Sequence, residues 1–200
     1  MRKNSPAQFK KAAVMVHGKS ERYLASYIYT NLHLPIVIID KNSGRNSIQI
    51  NSLPKILNKS PYNNLKGFSD EYSIEYNKQE KSLKNFKLFI IMDTDDCSEK
   101  TKKEYLSGTL FKDCCLKEYI VPIFNSPNLE EVMVKAGIMP KRISDSQKGS
   151  YYSKVFPINQ QPFSRDTLDQ IRLFSDKLRK VRDTNLLEYV DYCLSLIIQV

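Results

Sequence analysis

Phe86-Lys87-Leu88-Phe89-Ile90-Ile91-Met92, followed at once by Asp93-Thr94-Asp95-Asp96, decides the fold class. An apolar run this short and this continuous reads as a parallel strand covered on both faces. The acidic stretch ends it and predicts a functional edge, because ligands of open parallel sheets bind beyond the carboxyl ends of the strands. Working upstream, Ala12-Ala13-Val14-Met15-Val16 is a second buried strand, closed by His17-Gly18. Ser20 is placed to cap a helix over Glu21 to Leu32, where Leu24, Tyr27, Ile28 and Leu32 recur at spacings of three and four. Pro35 to Ile39 is a β-branched strand, closed by the polar stretch Asp40 to Asn46.

Between the second and third strands, residues 51 to 59 form a short helix, and 60 to 84 read as an insertion or mobile loop. Downstream of the acidic stretch a polar helix is predicted from about Ser98 to Leu106, then a fourth strand over Tyr119 to Phe124. Pro122 argues that this strand lies at a sheet edge or carries a bulge. Asn125-Ser126-Pro127-Asn128 ends it. Asn128 and Glu131 have capping-box spacing ahead of a helix over Leu129 to Lys135, which Gly137 and Pro140 stop.

The alternation of strand and helix predicts an α/β fold, with a mostly parallel four-stranded sheet flanked by helices. Residues 1–140 are expected to be this domain, 141–162 a connector, and 163–200 a helical pair on the same domain. Leu168, Ile171, Phe174, Leu178 and Val181 mark the first of these helices, and Leu186, Val190, Cys193, Leu194 and Ile197 the second. They complete the core or form a homodimer interface.

Two hundred residues, 41% hydrophobic and 26% charged, suffice for one domain with a sizeable core. The longest apolar runs are far short of the roughly 20 residues needed to cross a bilayer. With no apolar segment after the basic Met1 to Pro6 start, a cytoplasmic protein with no membrane partner is expected. Four cysteines, Cys97, Cys114, Cys115 and Cys193, include an adjacent pair but no CxxC, and read as free thiols. Net charge is +9. Residues 1–50 hold 8 Lys plus Arg against 2 Asp plus Glu, or +6. That asymmetry fits either solubility or a polyanionic partner such as nucleic acid, whose phosphates release counterions to Lys and Arg.

Three polar clusters fall at the carboxyl edge: His17-Gly18-Lys19-Ser20-Glu21, Asp93-Thr94-Asp95-Asp96 and Asn125-Ser126-Pro127. Carboxylates at Asp93 and Asp95, flanked by Asp96, repel unless a cation neutralises them, and Mg2+ or Mn2+ suits such an oxygen-rich set. The competing reading is that these acids cap the following helix. His17 is a candidate general base or metal ligand. Gly18-Lys19-Ser20 is no phosphate-binding P-loop, since Ala13 stands where the first glycine belongs and residues 13–16 are a strand.

Val14-Met15-Val16-His17-Gly18-Lys19-Ser20-Glu21 and Phe89-Ile90-Ile91-Met92-Asp93-Thr94-Asp95 together resemble the two motifs of Toprim domains, the metal-dependent core of topoisomerases, primases, small maturation ribonucleases and overcoming-lysogenization-defect nucleases. Pro122 to Pro127 followed by Leu129-Glu130-Glu131 resembles the RloB and abortive-infection branch. The resemblance spans about residues 10–138 and implies a Toprim-like, Rossmann-like fold with Asp93 and Asp95, and less directly Asp96, as metal ligands. Toprim enzymes carry Glu immediately before the first-motif glycine, where this chain has His17. RloB-like proteins tend to be acidic at the position of Glu21, so His17 or Glu21 is left to manage the proton. Lys19, with Asn125 and Ser126, would contact substrate. The resemblance further implies a Mg2+- or Mn2+-dependent nuclease acting on DNA or RNA, in phage defence beside a partner ATPase. A degenerate module that binds nucleic acid or that ATPase without cleavage is the alternative.

Overall fold

The computed structural model describes residues 8–140, 145–158 and 164–198. Its elements run β1 (Ala12–Val16), α1 (Lys19–Asn31), β2 (Ile36–Ile39), α2 (Leu53–Leu57), α3 (Leu65–Tyr72), β3 (Tyr76–Asn77), β4 (Ser82–Leu83), β5 (Lys87–Asp93), α4 (Glu99–Leu106), β6 (Ile120–Asn125), α5 (Leu129–Lys135), α6 (Asp145–Val155), α7 (Arg165–Leu178) and α8 (Leu186–Ile198). The main sheet is parallel throughout, in the order β2-β1-β5-β6. The chain is therefore α/β, with a Rossmann-like four-stranded parallel sheet flanked by helices.

Strand alternation divides the core in two. Ala12, Val14, Val16, Phe89 and Ile91 pack one face against residues of α1, α5, α6, α7 and α8. Ala13, Met15, Leu88, Ile90 and Met92 pack the other against residues of α2, α3 and α4. β1 and β5 are buried on both faces, so their sequences are unbroken apolar runs. The C-terminal pair belongs to the first of these cores, through Ile171, Phe174, Leu178, Leu186, Tyr189 and Val190.

β6 is an edge strand, as Pro122 requires. Two side chains compensate for its irregularity. The buried Tyr105 hydroxyl lies 2.6 Å from Ile90 O and 2.9 Å from Ile123 O, between β5 and β6. On the open side, Asn185 accepts from Phe124 N (2.8 Å) and donates to Pro122 O (2.9 Å), so one side-chain amide stands in for a neighbouring strand.

Three expectations are corrected. Residues 60–84 contain α3 and the antiparallel β3–β4 pair, with Phe68, Ile74 and Leu83 buried. Their anchors are too far apart in sequence to register as one period. The 141–162 connector contains α6, whose Tyr152 enters the core together with Phe156 just beyond the helix, while residues 141–144 and 159–163 lie outside the described residues. Gly18, not Ser20, is the N-cap of α1, because the helix begins one residue before Ser20.

Candidate metal centre

Continuing the alternation of β5, Asp93 follows Phe89 and Ile91 onto the face covered by α1 and α5. There it meets two further carboxyl groups, Glu21 from α1 and Glu130 from α5. All three are buried, with relative exposures of 7% for Asp93, 1% for Glu21 and 4% for Glu130. Burial pushes the Asp93 carboxyl well above its ordinary 3.8. Glu21, Glu130 and Asp95 push it the same way, against the opposing Asn125 amide. Burial likewise raises Glu21 above its ordinary 4.5, and Glu130 adds to the shift. His17 and the backbone N–H groups of Glu21 and Gly18 oppose it. Three mutually repelling carboxyl groups out of water are a standing demand for a proton or a cation.

Each carboxyl is fixed by its local element. Glu21, in the first turn of α1, accepts from Gly18 N through Oε2 (2.9 Å), which leaves Oε1 buried without a hydrogen-bond partner. Asp93 Oδ1 accepts from Leu129 N at the start of α5 (3.0 Å) and from Asn125 Nδ2 (3.2 Å). Glu130 Oε1 accepts from Ser20 Oγ (2.9 Å), and so the residue expected to cap α1 instead ties α1 to α5.

The other expected residues surround this cluster. His17 Nδ1 lies 2.9 Å from Ile48 O, a carbonyl that only accepts, so Nδ1 is the donor of that bond and Nε2 is the ring nitrogen it leaves uncommitted. Asp96 is half-buried, both of its carboxylate oxygens lack hydrogen-bond partners, and burial raises its pKa against the lowering effect of His17. Asp95 is exposed and accepts from Asn128 Nδ2 (3.2 Å). Lys19 is exposed, its Nζ 6.0 Å from the Tyr23 ring centroid. Asn125 is fully buried between Asp93 and Thr184, with a hydrogen bond to each. Ser126 Oγ accepts from Lys102 Nζ (3.2 Å).

The helix-capping alternative for the acids does not describe α4, whose cap is Ser98, accepting from Thr101 N. Among the described residues no three His, Cys, Asp or Glu side chains are already gathered as a metal-ligand set. The chemistry of the site nevertheless fits a divalent ion, since the unpartnered buried oxygens of Glu21 and Asp96 are acceptors that a hard cation satisfies. All four cysteines are free, and Cys97 beside Asp96 donates weakly to Thr94 O (3.7 Å).

Sequence reasoning missed Glu130 and Lys102. Glu131 drew attention as the capping partner of Asn128, and Glu131 N does donate to Asn128 Oδ1 (3.1 Å). Glu130, one residue earlier, lies about 100° around the helix and turns inward. Lys102 sits one turn into α4, and nothing local marks its reach to Ser126.

No protein-family model matches the chain. No curated protein matches it. Among solved structures it is similar to the C-terminal region of the Burkholderia pseudomallei OLD protein, at 16% identity over 96% of this chain and 89% of that one, with a TM-score of 0.38.

Proposed function

We propose that this chain is a Toprim-like, Mg2+- or Mn2+-dependent nuclease that cleaves phosphodiester bonds in nucleic acid. The observation that carries the reading is the buried cluster of Glu21, Asp93 and Glu130 at the carboxyl edge of the sheet, with Glu21 Oε1 lacking a partner. Glu21 and Asp93 would hold the ion, with Glu130 behind them and Asp95 and Asp96 at the rim. A divalent ion supplies Lewis acidity that neutralises charge developing on a phosphoryl group.

The chain's own residues supply the rest. His17 Nε2, opposite the ring nitrogen held by Ile48 O, accepts a proton from a nucleophile or returns one to a leaving oxygen. Lys102, held at Ser126, and Lys19, at the start of α1, supply positive charge for a phosphodiester backbone. A third basic element is the turn after β2. Asn42, Ser43 and Gly44 are left-handed in succession. A Cβ on Gly44 would stand 3.1 Å from Lys19 Cα. The turn is therefore seated on the start of α1 and carries Lys41 and Arg45, both exposed. Phage defence beside a partner ATPase is the setting that the family resemblance adds.

A second reading, a Toprim-like module that binds without cutting, is favoured by one observation: His17 occupies the position of the family glutamate. Cleavage assays on plasmid DNA, single-stranded DNA and RNA, with Mg2+, Mn2+ or EDTA, distinguish the two when run on wild type and His17→Glu. Metal-dependent cleavage by wild type, lost in His17→Glu through the broken Ile48 bond and the added negative charge, supports the nuclease. Cleavage gained only in His17→Glu, or absent from both, supports the binding module.

A further inference from the structure

The connection between α7 and α8 reaches the acidic centre through a short buried chain of hydrogen bonds. Thr184 bridges to Asn125 at the end of β6, and Ser126 N donates to Asp183 O (2.8 Å). Thr184 Oγ1 accepts from Leu186 N (3.0 Å) and lies 2.8 Å from Phe124 O and 3.0 Å from Asn125 Oδ1. Asn125 Nδ2 in turn donates to Asp93 Oδ1 (3.2 Å). Thr184 is 8% exposed and Asn125 0%, so their contact is largely shielded from solvent.

With a cation bound, Asp93 is ionised and only accepts, so the amide end facing it is then the NH2 group, as the Asn125 Nδ2 contact has it. That fixes Oδ1 at the other end, which requires a donor. The Thr184 hydroxyl, whose single proton has Phe124 O as its other acceptor, is placed to be that donor. With Asn125 and Leu129 both directed at Asp93 Oδ1, these two donors leave the second carboxylate oxygen open to a ligand.

We propose that Thr184 is a positioning residue of the acidic centre, holding the Asn125 amide in the orientation that sets the coordinating face of Asp93. The inference rests on the metal-centre reading above and extends it to the C-terminal helical pair, which thereby completes the site as well as the core. Outer partners of metal ligands commonly change affinity by about 10–100-fold when removed.

Asn185 provides the control. It docks the same connection onto the same strand through Phe124 N and Pro122 O, without touching the Asn125 side chain. Mn2+ binding to the full chain, followed by electron paramagnetic resonance of the free ion, is measured for wild type, Thr184→Val, Thr184→Ala, Thr184→Ser and Asn185→Ala. The expected result is binding about tenfold or more weaker in the valine and alanine variants, restoration by serine, and affinity within about twofold of wild type in Asn185→Ala, even where its melting temperature falls. Wild-type affinity in a folded Thr184→Val or Thr184→Ala overturns the inference and leaves the metal centre standing. Equal weakening in Asn185→Ala overturns it too, by assigning the effect to loop docking. Failure of both threonine variants to fold while Asn185→Ala folds assigns Thr184 to the fold alone. If wild type binds no Mn2+, the metal-centre reading itself fails.

Discussion

Glu21 holds a carboxyl group out of water with only one of its two oxygens satisfied, and that imbalance ties the stability of the protein to pH. Both Glu21 and Asp93 have pKa values raised by burial above their ordinary 4.5 and 3.8. A raised carboxyl pKa means that the folded chain binds more protons than the unfolded one. The stabilising contribution is fully present below the ordinary values and is lost as pH rises through the raised ones. In EDTA the melting temperature should therefore fall as pH rises above the ordinary carboxylate range, and Glu21→Gln should flatten the fall. Mn2+ should raise the melting temperature most at the alkaline end, where the carboxylates are ionised. A wild-type melting profile indifferent to pH and to Mn2+ would show that these groups are neither strained nor metal-binding. For catalysis, Asp93→Asn should lower metal-dependent cleavage by about a hundredfold or more, equivalent to about 3 kcal/mol in the barrier.

At the scale of elements, β5 was legible because six of the seven residues from Phe86 to Met92 are apolar and an acidic stretch follows. α5 was legible because Asn128 caps it as the local spacing predicts. α3, the β3–β4 pair and α6 were not, since each contributes isolated anchors such as Phe68, Leu83 and Tyr152 that only tertiary packing brings together. Nor was the junction of β5 and β6. Tyr105→Phe removes the hydroxyl set between the Ile90 and Ile123 carbonyls and should destabilise the fold by about 1–3 kcal/mol in urea titrations. An unchanged midpoint would mean that water satisfies those carbonyls. The basic turn after β2 is testable separately. Lys41→Ala with Arg45→Ala should reduce the slope of log affinity against log salt by about 1.4–1.8 for nucleic acid, two phosphate contacts' worth, while leaving Mn2+ binding intact. An unchanged slope would place the nucleic acid elsewhere.

Across the whole molecule, the sequence placed three polar clusters after β1, β5 and β6, and the parallel order β2-β1-β5-β6 sets those strand ends on one side. What it could not show is which of the acids would be buried together. Asp93, Asp95 and Asp96 are neighbours in sequence, yet Asp95 is exposed while Asp93 points inward to Glu21 and Glu130, which lie 72 residues before it and 37 after it in the chain. No helix among the described residues is long and apolar enough to cross a membrane. Anomalous diffraction from Mn2+-soaked crystals of the protein shows whether the buried carboxyl cluster is a metal centre. The expected result is an anomalous peak coordinated by Glu21 Oε1 and an Asp93 oxygen at the carboxyl edge of β5, absent from Asp93→Asn crystals. A peak only at the exposed Asp95, or none at the buried cluster at saturating Mn2+ and alkaline pH, would contradict it.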